Sequence, residues 1–497
     1  MKRQIALIAT LSVRNAVKQI PILVLLVLAG GYAETNAQTL TTLHQFGTSP
    51  TDGIGPYAAL VQGSDGFFYG TTLQGGTNNS GNGGDGTVFR INSAGTLTTL
   101  WQFGGSPSDG NGPAAGLVQG SDGYFYGTAG GGTNNDGVVF RISSAGTLTT
   151  LYQFGGSPTD GQSPQAGLVQ GSDGYFYGTT DAGGTNGLGV VYRISSTGTY
   201  STLWQFGSSP TDGKSPEAGL VQGSDGFFYG TTSGGGTNGA GVVFRISSAG
   251  TLTTLWQFGS SPTDGVGPVA GLVQGNDGFF YGTTLSGGTN NPPYGEGTVF
   301  RISSVGTLTT LHQFGSGPTD GAEPSGALVQ GSDGYFYGTT VAGGTSSFVA
   351  FTVGTVFRIS STGTLTTLWQ FGSNGPFDGT YPAAGLVQGS DGFFYGTTSD
   401  DEFKSAGVVF QLSVPLNPPA NQIAGIEFFS VFGDTYAALS IPSVAGETYQ
   451  LQYTDSMNPA AWLNTGDPVT SIGGALTLFD LVGVLPQQRF YRAVITP

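Results

Sequence analysis

Carboxylates carry most of the chemistry open to this chain, and they recur at two fixed places. Asp65, Asp122, Asp173, Asp225, Asp277, Asp333 and Asp391 each lie in a phrase LVQG(S/N)DG(F/Y)FYG, spaced 51 to 58 residues apart. Asp52, Asp109, Asp160, Asp212, Asp264, Asp320 and Asp378 each close a turn such as Ser-Pro-Thr-Asp-Gly. A residue present in every copy of a repeat is a building part before it is a reagent. Arg90, Arg141, Arg193, Arg245, Arg301 and Arg358 recur as well, and each is expected to meet a Ser-Asp-Gly aspartate in a charge-assisted hydrogen bond. Gln411 stands in the seventh copy, where that pairing must be missing or altered. The second set of aspartates reads as turn caps that bond their own backbone. The alternative is a cation- or sugar-binding rim, although single carboxylates on separate units offer calcium too few oxygens.

Other reactive groups are sparse. His44 and His312 occupy a position that holds Trp or Tyr in the other copies, which argues for packing. No Ser-His-Asp set or helix-borne metal motif can be assembled. The absence of cysteine excludes thiolate metal sites and cysteine nucleophiles. No cofactor is expected. Carboxylates for glycoside hydrolysis would come from Asp400, Asp401 and Glu402, which are neighbours in one loop, and Lys214 and Glu217 form a surface pair at most.

The elements that position these residues follow from the repeat. In the fourth copy, Ala218 to Gln222, Phe227 to Thr232, Val242 to Ile246 and Thr251 to Phe258 are short runs rich in Val, Phe, Tyr, Thr and Trp, bounded by Gly, Ser and Asp. That is the signature of strands. Four antiparallel strands per unit make a propeller blade, and self-similarity at this period points the same way. The chain enters at Leu40 to Phe46, a fourth strand without its first three, and leaves the repeat at Val408 to Leu412, a third strand without its fourth. A closed ring joins the two and removes both exposed edges. We therefore expect an all-β chain, a seven-bladed β-propeller over 38–414 followed by a small C-terminal β-sandwich over 415–497. The boundary is the linker Pro415-Leu416-Asn417-Pro418-Pro419. In the second domain Tyr436 to Ile441, Thr448 to Tyr453, Ala475 to Leu481 and Arg489 to Ile495 are expected strands, Trp462 is core, and Asn464 and Asp467 lie in a loop.

Residues 1–37 read as a secretory signal, with Lys2, Arg3, Arg14 and Lys18 ahead of the apolar run Ile20 to Ala29 and Ala33 or Ala37 as cleavage points. The mature chain is then outside the cell, with no further stretch to insert in a membrane. The whole chain has a formal charge of −16, and loss of the leader deepens it. Nucleic acid and anionic membranes are poor partners for such a surface.

Copies such as AGLVQGSDGFFYGTTSGGGTNGAGVVFRISSAGTLTTLWQF resemble the GloVer-type tandem repeat of exported bacterial proteins, over the whole of 40–412. The resemblance implies an extracellular or cell-surface protein and brings no established activity. The segments GETYQLQYTDSMNPAAW and QRFYRAV resemble the β-sandwich modules that end many secreted bacterial proteins.

Variation between copies concentrates in the loop after the second strand. There the fifth copy carries Tyr294, the sixth Phe348 and Phe351, and the seventh Asp400, Asp401, Glu402 and Phe403. A repeat protein places specificity where its loops vary, and exposed aromatics can stack on a sugar or anchor a peptide. The expectation is a non-enzymatic binding module for glycan or protein. The alternatives are a carbohydrate-active enzyme using the seventh loop and a purely structural surface protein.

Overall fold

The computed structural model describes residues 38–49, 51–78, 84–290, 295–317, 319–345, 353–372, 378–399, 406–414, 425–431, 434–443, 448–454, 463–470, 474–481 and 490–496. The leader expected at 1–37 lies outside them. Every regular element among the described residues is a strand. Seven four-stranded antiparallel sheets follow the repeat. The fourth sheet is typical, with strands Val221–Gln222, Phe228–Thr232, Val242–Ile246 and Leu252–Gln257 paired in that order. The first strand is much shorter than its apolar run. Ala218 leaves the ladder because its carbonyl accepts a bond from Thr179 of the preceding sheet, at 2.9 Å.

The seventh sheet joins the two ends of the array. Thr39–Gln45 pairs antiparallel with Val408–Ser413, placing Leu40 opposite Leu412 and Thr42 opposite Phe410. Contacts between consecutive sheets are repeated between the seventh and the first. Each Tyr of Phe-Tyr-Gly stacks on the Phe of the next sheet, Tyr229 on Phe280 at 3.8 Å and Tyr395 on Phe68 at 3.9 Å. Ser224 N–H donates to Gln274 Oε1, and Ser390 N–H to Gln62 Oε1, both at 2.9 Å. These rings are fully buried, so each sheet-to-sheet junction is a small aromatic core of its own.

The Ser-Asp-Gly turns hold that core in place, through partners other than those expected. Asp225 Oδ2 accepts from Tyr229 Oη at 2.7 Å, and its Oδ1 accepts from Phe227 N–H. The same bonds recur at all seven copies. Burial and the Asp225 carboxylate push Tyr229 up to about 12. The arginines make no ion pair with these aspartates. Each guanidinium lies over the aromatic that follows the Gly, as Arg245 does over Phe227 at 4.9 Å, and all but Arg358 also reach the next sheet's hairpin, Arg245 Nη1 donating to Ser304 O at 3.2 Å. The aspartate oxygens are spent on their own turn, so the arginine becomes a staple between sheets. In the seventh copy Gln411 instead donates to Tyr395 Oη at 2.8 Å, and Phe393, without a cation above it, is 37 % exposed.

One junction carries a defect. Tyr192 replaces the Phe found at this position in the other copies, and its buried hydroxyl has no hydrogen-bond partner. A buried orphan hydroxyl costs on the order of 1–3 kcal/mol. Tyr192→Phe should therefore raise unfolding free energy by roughly 1 kcal/mol in urea titration; a loss of stability would mean the hydroxyl is bonded.

Residues 425–496 form two three-stranded sheets. One holds Gly425–Val431, Asp434–Ser443 and Gly474–Leu481; the other Leu463–Thr470, Thr448–Thr454 and Phe490–Thr496. Asn464 and Asp467, expected in a loop, lie in the strand Leu463–Thr470, where Gly, Asp and Pro are overridden by pairing with Thr448–Thr454 across an irregular register. Trp462 lies outside the described residues.

Candidate functional site

Tyr294, Phe348, Phe351, Asp400, Asp401, Glu402 and Phe403, the residues singled out on the variable loops, all lie outside the described residues. The bases of their loops are described. The connection after the second strand pairs with the connection that leads into the first, as Gly213–Lys214 does with Gly234–Gly235. Both long connections therefore share one end of each sheet. The arginine staples tie the two tight-turn classes together at the other.

At the long-loop end a cleft recurs along the fourth strands. One, of about 450 Å³, is lined by Thr237, Asn238, Leu255, Trp256, Gln257 and Ser260, with Thr211 from the preceding sheet's loop on its far side. Its equivalent in the third sheet, of about 550 Å³, has Thr185, Asn186, Leu203, Trp204, Gln205 and Thr159. The first sheet has one of about 400 Å³ with Asn78, Leu100, Trp101 and Gln102. A fourth, of about 520 Å³, lies between His312 and Thr319 on one side and Leu365, Thr367 and Gln370 on the other.

The repeat dictates the cleft. In the first five copies the Thr-Asn pair of the glycine-rich loop clips onto the Gln-Phe that ends the fourth strand. Thr237 N–H donates to Gln257 Oε1 at 2.8 Å, and Asn238 Nδ2 to Phe258 O at 3.0 Å. The clip leaves Gln257 Nε2, Asn238 Oδ1 and the Thr237 hydroxyl without partners among the described residues. The far wall is fixed by Thr254 Oγ1, which donates to Thr211 O at 3.2 Å. The aromatic residue is half-buried, one edge in the sheet and one side to the cleft.

The turn aspartates lie behind these clefts. All seven are buried. Asp212 accepts from Gly213 N–H, Gly207 N–H, Ser208 Oγ and Trp204 Nε1 at 2.9–3.2 Å. Tyr152 Oη bonds Asp160 at 3.0 Å, and Trp369 Nε1 bonds Asp378 at 3.3 Å. His44 and His312 occupy the same place, with Nε2 3.1 Å from Asp52 and 3.2 Å from Asp320. They pack against Phe46 and Phe314, as expected of scaffold positions, and are bonded as well. Burial pushes the Asp320 carboxyl up, but hydrogen bonds from His312 and Ser316 hold it below its ordinary value. At the Trp101 cleft, Asp109 Oδ2 and Trp101 Nε1 are buried without partners, and burial raises the Asp109 carboxyl. Trp256 Nε1 is likewise buried without a partner; in the other five copies the carboxylate ties the loop to the ring, and none of the seven forms an exposed rim. Glu217 accepts from Ser233 Oγ at 2.7 Å, and no ion pair joins it to Lys214.

Residues 32–170, 77–292 and 261–424 match the model of the Gloeobacter/Verrucomicrobia repeat. No curated protein matches the chain. Among solved structures, the BP39L lectin from Burkholderia pseudomallei is similar at 13 % identity and a TM-score of 0.46, covering 73 % of this chain and 94 % of that one. A PL25 ulvan lyase is similar at 10 % identity and 0.45, covering 75 % and 95 %. An α-L-arabinofuranosidase from Clostridium thermocellum is similar at 14 % and 0.34, covering 64 % and 94 %.

Proposed function

This chain belongs to the Gloeobacter/Verrucomicrobia repeat family, and on that premise we propose a seven-bladed β-propeller with a C-terminal β-sandwich, acting outside the cell as a non-enzymatic, multivalent glycan-binding module. The observation that carries the reading is the recurrence of one cleft, with an aromatic wall and amide and hydroxyl groups, on the first, third and fourth sheets. A pyranose offers an apolar C–H face to an aromatic ring and a rim of hydroxyls to amides. Single open clefts of this kind bind weakly. Several on one rigid body, meeting a polymer that repeats its own epitope, gain apparent affinity by effective concentration.

The test is affinity electrophoresis of the mature chain through gels containing β-glucan, xylan, galactomannan, alginate or polygalacturonate. At least one polymer should retard it. Trp256→Ala should weaken binding roughly tenfold, and Trp101→Ala/Trp204→Ala/Trp256→Ala should abolish it, as multivalent binding requires, with circular dichroism unchanged. Retardation that survives the triple change would move the site to the loops bearing Tyr294, Phe348, Phe351 and Phe403. Release of reducing ends would turn the reading to a hydrolase or lyase using Asp400, Asp401 or Glu402.

A further inference from the structure

We infer that the ligand of these clefts is a neutral polysaccharide, an inference that rests on the cleft reading above and narrows it to a charge class. Between residues 38 and 414 the basic residues are the six repeat arginines, Lys214 and Lys404. The arginines are committed to the tight-turn end. Each lies over an aromatic ring at 4.8–4.9 Å, and five bond the next sheet's hairpin carbonyl. Lys214 is the one described cation of the long-loop end, and it lines neither the Trp256 nor the Trp204 cleft.

What the Trp256 cleft offers instead is matched to hydroxyls. Gln257 Nε2 donates, Asn238 Oδ1 accepts, and the Thr237 hydroxyl does either, while a sugar hydroxyl is both donor and acceptor. A carboxylate or sulfate accepts only and calls for the fork of an Arg or the point charge of a Lys. A carboxyl group lies directly behind the cleft wall, the wrong kind of partner for such a ligand. Asp264 accepts from Ser260 Oγ at 2.7 Å, and Ser260 itself lines the cleft. The net charge of −16 adds long-range repulsion of polyanions that grows as salt falls.

Binding of the mature chain to β-glucan, xylan and galactomannan is compared with binding to alginate, polygalacturonate and dextran sulfate, at low and high salt, with the triple tryptophan variant in parallel. The expected result is binding to a neutral polymer at least about tenfold tighter than to any acidic one, with little dependence on salt. Tighter binding of alginate or polygalacturonate that strengthens as salt is lowered, and is lost in the triple variant, would overturn the charge class and leave the clefts standing. Binding indifferent to the triple variant would overturn the clefts themselves. A chain that binds none of the neutral polymers overturns the inference.

Discussion

A chain lacking residues 38–46 should fail to give a stable monomer. Those residues supply the fourth strand of the seventh sheet, paired through Thr39–Gln45 to Val408–Ser413, and they end on Phe46, which is 2 % exposed and packs edge-on against Phe89 of the first sheet. The deletion strips one edge of Val408–Ser413 of its partner, and an open, apolar strand edge is a template for association. It also removes a buried aromatic, a loss that by itself costs about 3–5 kcal/mol. Size-exclusion chromatography should find oligomers or aggregate, and the thermal transition should fall by well over about ten degrees or broaden. A peptide of residues 38–46 added in trans should restore part of the monomer, because strand addition uses main-chain bonds. A monomer with an unchanged transition would show that the seventh sheet does not need its borrowed strand.

Phe280→Ala should cost about 3–5 kcal/mol, with Phe279→Ala beside it as the control at under about 1 kcal/mol. The two neighbours face opposite ways. Phe280 is 1 % exposed and stacked on Tyr229 across a junction. Phe279 lies half-buried beneath Arg301 at 4.9 Å. Removing the first leaves a cavity between two sheets and takes away the surface that orients Tyr229; removing the second uncovers a staple. Urea unfolding of both variants checks this, and equal losses would mean that the stacked rings are not what joins the sheets. Phe280→Ala and Phe176→Ala, in separate junctions, should add.

The repeat made much of this architecture readable. Identical segments revealed the strands, and the offset between Leu40 to Phe46 and Val408 to Leu412 foretold their pairing. Side-chain partners were harder. Asp recurs in seven copies and Arg in six, and charge alone paired them, yet Tyr229 lies four residues beyond Asp225, within reach across the tight turn, and takes the carboxylate first. The cleft left a subtler trace. The position eight or nine residues before each turn aspartate holds His, Trp, Tyr, Trp, Trp, His and Trp, all rings with a polar hydrogen and never Phe. In five of the seven that polar hydrogen meets the turn aspartate, so the position carries a donor as well as a packing group. Loop inserts vary in length and composition, so no pattern within one chain could fix their shape.

Closure by a borrowed strand also has a consequence for how the molecule is made. Thr39–Gln45 is synthesised first among the described strands, and its partner Val408–Ser413 is the last of the array. For most of translation the earliest strand has nowhere to go, and contacts this distant in sequence form slowly. Growth of the array can proceed sheet by sheet from Val61 onward, each new one docking on its predecessor. The final event joins the oldest and newest ends, so any helper that shields a bare strand from its neighbours would act on the N-terminal segment and be released only at that moment.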